Sequence, residues 1–222
     1  MLSQKLEDGP AAAAPPVGPV PLRSAGGLVT FGCLNRPVKI GRRIAGIWAQ
    51  LLAAVPRSRL LLAGGCGREM IGALFEGTGL SPNRVALAAP APRGAYLARY
   101  AQIDIALDPW PYHGTTTICD ALWMGVPVVT LAGPTHASRV GVSMLSAVGL
   151  MELVATSPAD YIRVAAGLAN DPEKLRSLRA GLRDRMKQSP LLDGVSLARR
   201  IEEAYRRMWT IWCAQNSPIE ID

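Results

Sequence analysis

Short apolar, β-prone runs alternate along this chain with longer stretches whose apolar residues recur at helical spacing. Few folds accommodate that pattern. LVTFGCL at Leu28–Leu34 is followed by Ile44, Ile47, Trp48, Leu51, Leu52 and Val55, which fall on one helical face before Pro56 ends the run. RLLLA at Arg59–Ala63 is a second strand, Glu69–Gly77 a helix and Val85–Leu87 a short strand. A helix opens at Pro92 and runs to about Gln102. Ile103–Leu107, Val126–Leu131 and a segment near Glu152–Ala155 are further strands, with a helix from about Ala137 to Val148 between the last two. The strands are mostly continuous apolar runs, as in sheets buried on both faces. The alternation predicts an α/β, Rossmann-like parallel sheet with helices on both faces, followed by C-terminal helices.

The ends read differently. Met1–Gly27 is rich in Ala, Pro and Gly and cannot bury enough apolar surface to fold alone, so it is expected to be a linker or an arm lying on something else. Residues 28–195 form the expected lobe, and 196–222 a C-terminal helix and tail. Three apolar stripes mark the last helices: Tyr161, Val164, Ala165 and Leu168; Leu175, Leu178, Leu182 and Met186; and Leu197, Ile201, Tyr205, Met208, Trp209 and Trp212.

The net charge of +7 favours anionic ligands. Much of the excess lies in Arg176, Arg179, Arg183, Arg185, Lys187, Arg199, Arg200, Arg206 and Arg207, read as solvated helix faces. No basic run interleaved with aromatics appears, so nucleic acid is not the expected partner. Cys33, Cys66, Cys119 and Cys213 are scattered and form no CxxC pair, and His113 and His136 lack zinc-ligand spacing. Buried free thiols fit a reducing compartment. With no signal-like N-terminus and no apolar run of about 18 residues, the expectation is a cytoplasmic protein without a membrane segment.

Ligands of parallel α/β sheets bind beyond the C-terminal ends of the strands. Two such loops carry chemistry. The loop after Leu34 holds Arg36 and Lys39; the loop after Leu107 leads into HGTTTICDALWMGVPVVTLAG, His113–Gly133. Gly114 allows close approach of backbone to a ligand, and Thr115, Thr116 and Thr117 place hydroxyl and N–H groups where a helix begins. Free N–H donors at a helix N-terminus are a ready phosphate site. Asp120 lies one turn on, beside Thr116, where a carboxylate can accept from a sugar hydroxyl. The alternative is an ordinary Thr-capped helix. Lys39 is the candidate counter-charge for a diphosphate, with Arg93 a further loop cation. His113 is either a phosphate donor or base, or a surface or orienting group. Arg139 is expected to pair with an acid in the core. No metal-binding acid cluster is evident, since Asp104 and Asp108 lack an obvious third ligand.

Taken in order, VTFGCLNRPVKI, IWAQLLAAVPRSRLLL, YAQIDIALDPWPYHGTTTICDALWMGVPVVTLAG, ASRVGVSML, SPLLDG and EEAYRRMW resemble the C-terminal catalytic lobe of O-linked N-acetylglucosamine transferases, including bacterial and SPINDLY-type members. The resemblance runs from about Leu28 to Trp212. It implies half of a GT-B fold and inverting, metal-independent transfer from UDP-N-acetylglucosamine, or GDP-fucose in the SPINDLY branch, to a protein Ser or Thr. By position it implies that Lys39 contacts the donor diphosphate, Thr116 and Thr117 lie at the phosphate-binding helix, and Asp120 holds the ribose. Arg93 falls where animal enzymes have a lysine near the uracil. Arg36, Tyr96 and Thr115 replace a glutamine and two histidines of those enzymes, which leaves base and sugar specificity open. No catalytic residue is assigned here: the family's reacting histidine belongs to an N-terminal lobe, so the expected partners are a nucleotide sugar, a protein acceptor and that lobe or a partner chain. A non-catalytic nucleotide-binding or protein-interaction module is the alternative.

Overall fold

The computed structural model describes residues 14–21, 27–63 and 67–215. Six parallel strands, β1 (Val29–Cys33), β2 (Ser58–Ala63), β3 (Val85–Ala88), β4 (Ile105–Leu107), β5 (Val128–Leu131) and β6 (Val154–Ala155), lie in the order β3-β2-β1-β4-β5-β6. This is the doubly wound, Rossmann-like order. Its two halves diverge between β1 and β4, and the crevice at their C-terminal ends is where such sheets take ligands. Strands β1, β4 and β5 are buried along their whole length, as their unbroken apolar runs predict.

Helices α1 (Arg42–Ala54), α2 (Arg68–Phe75), α3 (Arg93–Ala98), α4 (Thr116–Trp123), α5 (Val140–Ala147), α6 (Pro158–Ala169), α7 (Pro172–Lys187) and α8 (Gly194–Gln215) follow the strands. Helix α1 packs on α2 and α6, and α4 packs on α5 and α7. The sheet is thus covered on both faces. Ser157 and Asp171 cap α6 and α7, each accepting from the N–H three residues on, with a proline in the first turn. Gly125 ends α4 at φ +74°; a Cβ there would lie 2.6 Å from Val17 and 2.7 Å from the Arg179 carbonyl oxygen.

Three sequence expectations change. The first concerns Arg179, which is not on a solvated face but 3% exposed. Its guanidinium donates to the carbonyls of Gly18 (2.8 Å), Ile103 (2.9 Å) and Tyr100 (2.9 Å). Arg183 likewise donates to the carbonyls of Trp123 and Pro15. These arginines fasten the described part of the Pro-rich segment to the body: each planar fork of donors joins carbonyls of segments far apart in sequence. The second concerns Arg139, which is exposed, turns towards the Gly133 carbonyl and pairs with no acid among the described residues. The third is that β4 begins at Ile105 rather than Ile103, after a 3-10 turn (Arg99–Gln102) that extends α3. Cys66 lies outside the described residues, whereas Cys33 and Cys119 are free thiols. Among the described residues no helix is long and apolar enough to cross a membrane.

Helix α8 stands apart from the layers. It contacts the turn at Pro190–Leu192, buries none of its residues, and leaves Trp209 and Trp212 64% and 56% exposed, stacked on each other at 5.3 Å.

Candidate functional site

The loops after β1 and β4 meet at the crevice. Lys39, on a 3-10 turn (Pro37–Lys39), donates from Nζ to the His113 carbonyl (2.9 Å) and lies 4.1 Å over the Tyr112 ring. Residues 74 positions apart are thereby joined, and the ammonium sits beside the start of α4. Arg36, from the same loop, is exposed. Asn35, which sequence reasoning passed over, is the second bridge. Buried to 5%, it accepts the Thr117 hydroxyl at 2.8 Å. A Cβ on Gly114 would fall 1.9 Å from Thr117 Oγ1 and 2.7 Å from Asn35 Oδ1, so only glycine lets the two loops close this tightly.

The Thr-capped alternative does not describe α4. Thr115 occupies the N-cap, yet its side chain caps nothing. Thr115 and Thr116 are exposed and Thr117 is turned to Asn35. The first N–H groups of α4 have no side-chain cap, so the positive end of the helix dipole opens into the crevice next to the Lys39 ammonium.

Asp120 is 6% exposed and held by Arg93 through two bonds, Nη1 to Oδ2 (2.7 Å) and Nη2 to Oδ1 (2.5 Å). The two candidates named separately from the sequence form one fork-to-carboxylate unit. Arg93 also lies 5.5 Å over the Tyr96 ring, and Tyr96 donates to Tyr100 (3.1 Å), which donates to the Thr117 carbonyl (3.1 Å). Burial raises the Tyr96 phenol to about 12, so it stays a neutral donor. Arg93, Tyr96 and Asp120 therefore form one connected group, and Lys39 is joined to the loop before α4 through the His113 carbonyl.

His113 stands as an orienting group. Its ring is neither on the surface nor turned to the crevice. It is 1% exposed, with Nδ1 accepting from the Gly141 N–H (3.0 Å) and Nε2 on the Leu131 carbonyl (3.0 Å). A backbone N–H can only donate, so Nδ1 is bare and Nε2 carries the proton. Desolvation lowers the ring to about 4, which keeps it neutral. A ring held this way cannot donate to a phosphate without abandoning both partners. Asp108, at the end of β4, is its neighbour: Oδ2 lies 3.3 Å from Nδ1 and accepts the Thr130 hydroxyl at 2.7 Å, while Oδ1 accepts the Gly114 N–H at 2.8 Å. Desolvation raises Asp108 to about 7. Nearby, Asp104 accepts the Thr30 N–H instead (2.8 Å), and among the described residues no three metal-ligating side chains gather.

Comparison with known proteins follows the same outline. The sequence model of glycosyl transferase family 41 matches residues 24–201. The probable UDP-N-acetylglucosamine–peptide N-acetylglucosaminyltransferase SPINDLY of Petunia hybrida is 41% identical over 215 residues, 94% of this chain and 23% of that protein. A solved mutant of the Thermobaculum terrenum O-GlcNAc transferase superposes with a TM-score of 0.79 at 40% identity, over 86% of this chain and 38% of that one. WaaG, a glycosyltransferase of lipopolysaccharide biosynthesis, shares the fold at 15% identity and a TM-score of 0.57. The chain thus spans about a quarter of the length of the curated relative, 23%.

Proposed function

From the premise that this chain belongs to glycosyltransferase family 41 and carries one half of its GT-B fold, we propose that it is the donor-binding lobe of an enzyme transferring N-acetylglucosamine from UDP-N-acetylglucosamine to protein Ser or Thr. One observation carries the reading: an uncapped helix N-terminus and a lysine ammonium converge at the sheet's switch point. A departing nucleoside diphosphate gains charge on its terminal phosphate. Lys39 and the N–H groups of Thr116 and Thr117 are placed to meet that charge. Asp120, oriented by Arg93, takes the ribose hydroxyls, and Tyr96 borders the base. GDP-fucose is the alternative donor, since Arg36, Tyr96 and Thr115 differ from the animal pattern. Inversion at the anomeric carbon and transfer without a metal belong to the proposal on the family resemblance alone.

None of these residues is a reacting base. The proposal therefore includes an N-terminal lobe, from a longer chain or a partner, seated on the apolar face of α8. The relative's much greater length and the exposure of Trp209 and Trp212 support that occupant. The test is calorimetric titration with UDP, UDP-N-acetylglucosamine, GDP-fucose and uridine. UDP should bind, and Lys39→Ala should weaken it about tenfold, or about 1.4 kcal/mol, while leaving uridine unchanged. Folded protein that binds none of the four at millimolar ligand refutes the reading.

A further inference from the structure

Asp108, His113 and Thr130 form a buried unit at the ends of β4 and β5, each at most 1% exposed. Its side-chain bonds end on the loop before α4, on β5 and on the start of α5. Asp108 Oδ1 takes the Gly114 N–H and Oδ2 takes the Thr130 hydroxyl. The His113 ring bridges the Leu131 carbonyl at the end of β5 and the Gly141 N–H at the start of α5. The His113 backbone is fixed at both ends, its N–H on the Ala137 carbonyl (3.0 Å) and its carbonyl receiving Lys39 Nζ (2.9 Å). The approach is close throughout: a Cβ on Gly141 would meet Thr130 Oγ1 at 2.3 Å and Asp108 Oδ2 at 2.7 Å.

We infer that Asp108 is a positioning residue for the diphosphate site: acting through Gly114 and His113, it sets where the Lys39 ammonium and the first N–H groups of α4 stand relative to each other. The inference rests on the donor-binding reading above. Its logic is geometric. Lys39 sits on a turn after β1 and the helix start follows β4, so nothing local fixes their separation. The Lys39 bond ends on the carbonyl of His113, and the next N–H, that of Gly114, is the one Asp108 holds. The same peptide thus receives the lysine on one side and the carboxylate on the other. Charge stabilisation at a phosphate falls off steeply with misplacement, so a loop free to shift by about 1 Å would weaken diphosphate binding while leaving the nucleoside contacts in place.

The test compares UDP with uridine by calorimetry on folded protein, for wild type, Asp108→Ala and Asp108→Asn. Asp108→Ala removes the acceptor of the Gly114 N–H and should weaken UDP about tenfold, with uridine unchanged. Asp108→Asn keeps an acceptor: its Oδ1 can take the Gly114 N–H, and its amide can donate to Thr130 Oγ1 and to the bare Nδ1 of His113. It should restore UDP affinity to within about threefold of wild type. A role confined to stability would move UDP and uridine together and would show no rescue. Should Asp108→Ala not fold, Thr130→Val, which keeps the side-chain shape and removes one bond to Asp108, takes its place, with about a threefold loss for UDP alone. Undiminished UDP affinity in the folded variant, or equal losses for both ligands, overturns the inference and leaves donor binding standing. A wild type that binds neither ligand overturns both.

Discussion

The buried Asp108–His113 pair predicts an unusual pH dependence of stability. In the folded chain desolvation holds the histidine at about 4 and the carboxyl at about 7, against ordinary values of 6.5 and 3.8. Between pH 4 and 6.5 the unfolded chain carries its proton on the histidine and the folded chain carries it on the carboxyl. Both states bind one proton in the pair, so folding neither releases nor takes one up, and the pair contributes almost no slope. Each partner alone would give a steep one. For His113, whose folded value is depressed, the unfolded state binds more protons and stability falls as pH drops from 6.5 towards 4. For Asp108, whose folded value is raised, the folded state binds more, and stability falls as pH rises from 3.8 towards 7. At about 1.36 kcal/mol per pH unit of displacement, the histidine term is about 3 kcal/mol and the carboxyl term about 4, with opposite signs. The groups facing the pair from the neighbouring elements are Lys39, Cys33 and Tyr161; burial holds the thiol and the phenol neutral across this range, the thiol at about 12. Asp108→Asn should therefore lose stability relative to wild type as pH falls from 6.5 to 4.5, and His113→Gln should lose it as pH rises from 4.5 to 7. Urea denaturation midpoints at half-unit intervals measure both, and differences from wild type cancel the remaining carboxylates. Slopes of the same sign in the two variants, or no slope in either, would refute the proton exchange within the pair.

Two further outcomes follow from the packing. Arg179→Met removes the donor to the Gly18 and Ile103 carbonyls and one of the two donors to that of Tyr100, and should cost about 2–4 kcal/mol, a fall in Tm of roughly 10 °C by scanning calorimetry; a change below 2 °C would show that the arginine fork is dispensable. Gly114→Ala forces a methyl into the Asn35–Thr117 contact and should destabilise by about 1–3 kcal/mol, with UDP weakened more than uridine; a variant as stable as wild type with the same UDP affinity would remove the close-approach argument.

Helix α8 shows how a sequence pattern can be right about an element and silent on its setting. Its stripe from Leu197 to Trp212 has the spacing of a packed helix, and the helix forms. Yet the stripe has no cover among the described residues, because periodicity states that a face is apolar and not what lies against it. Arg179 errs the other way. Its position in a basic, amphipathic stretch reads as solvated, and only the arrival of the carbonyls of Gly18, Tyr100 and Ile103, 161, 79 and 76 residues earlier, makes it a buried anchor.

The sequence by itself determines the class of fold, the order of its elements and the loops where chemistry gathers. Apolar runs, helical spacing, prolines at helix starts and glycines at turns act within a few residues and can be read along the chain. Tertiary structure alone decides which side chains meet. It places Lys39 on the His113 carbonyl, Asn35 on Thr117 and Arg93 on Asp120, and it takes His113 out of the crevice and into the core. Those pairings join positions 74, 82 and 27 residues apart, and the first two exist because strands β1 and β4, distant in sequence, lie side by side at the switch point of the sheet.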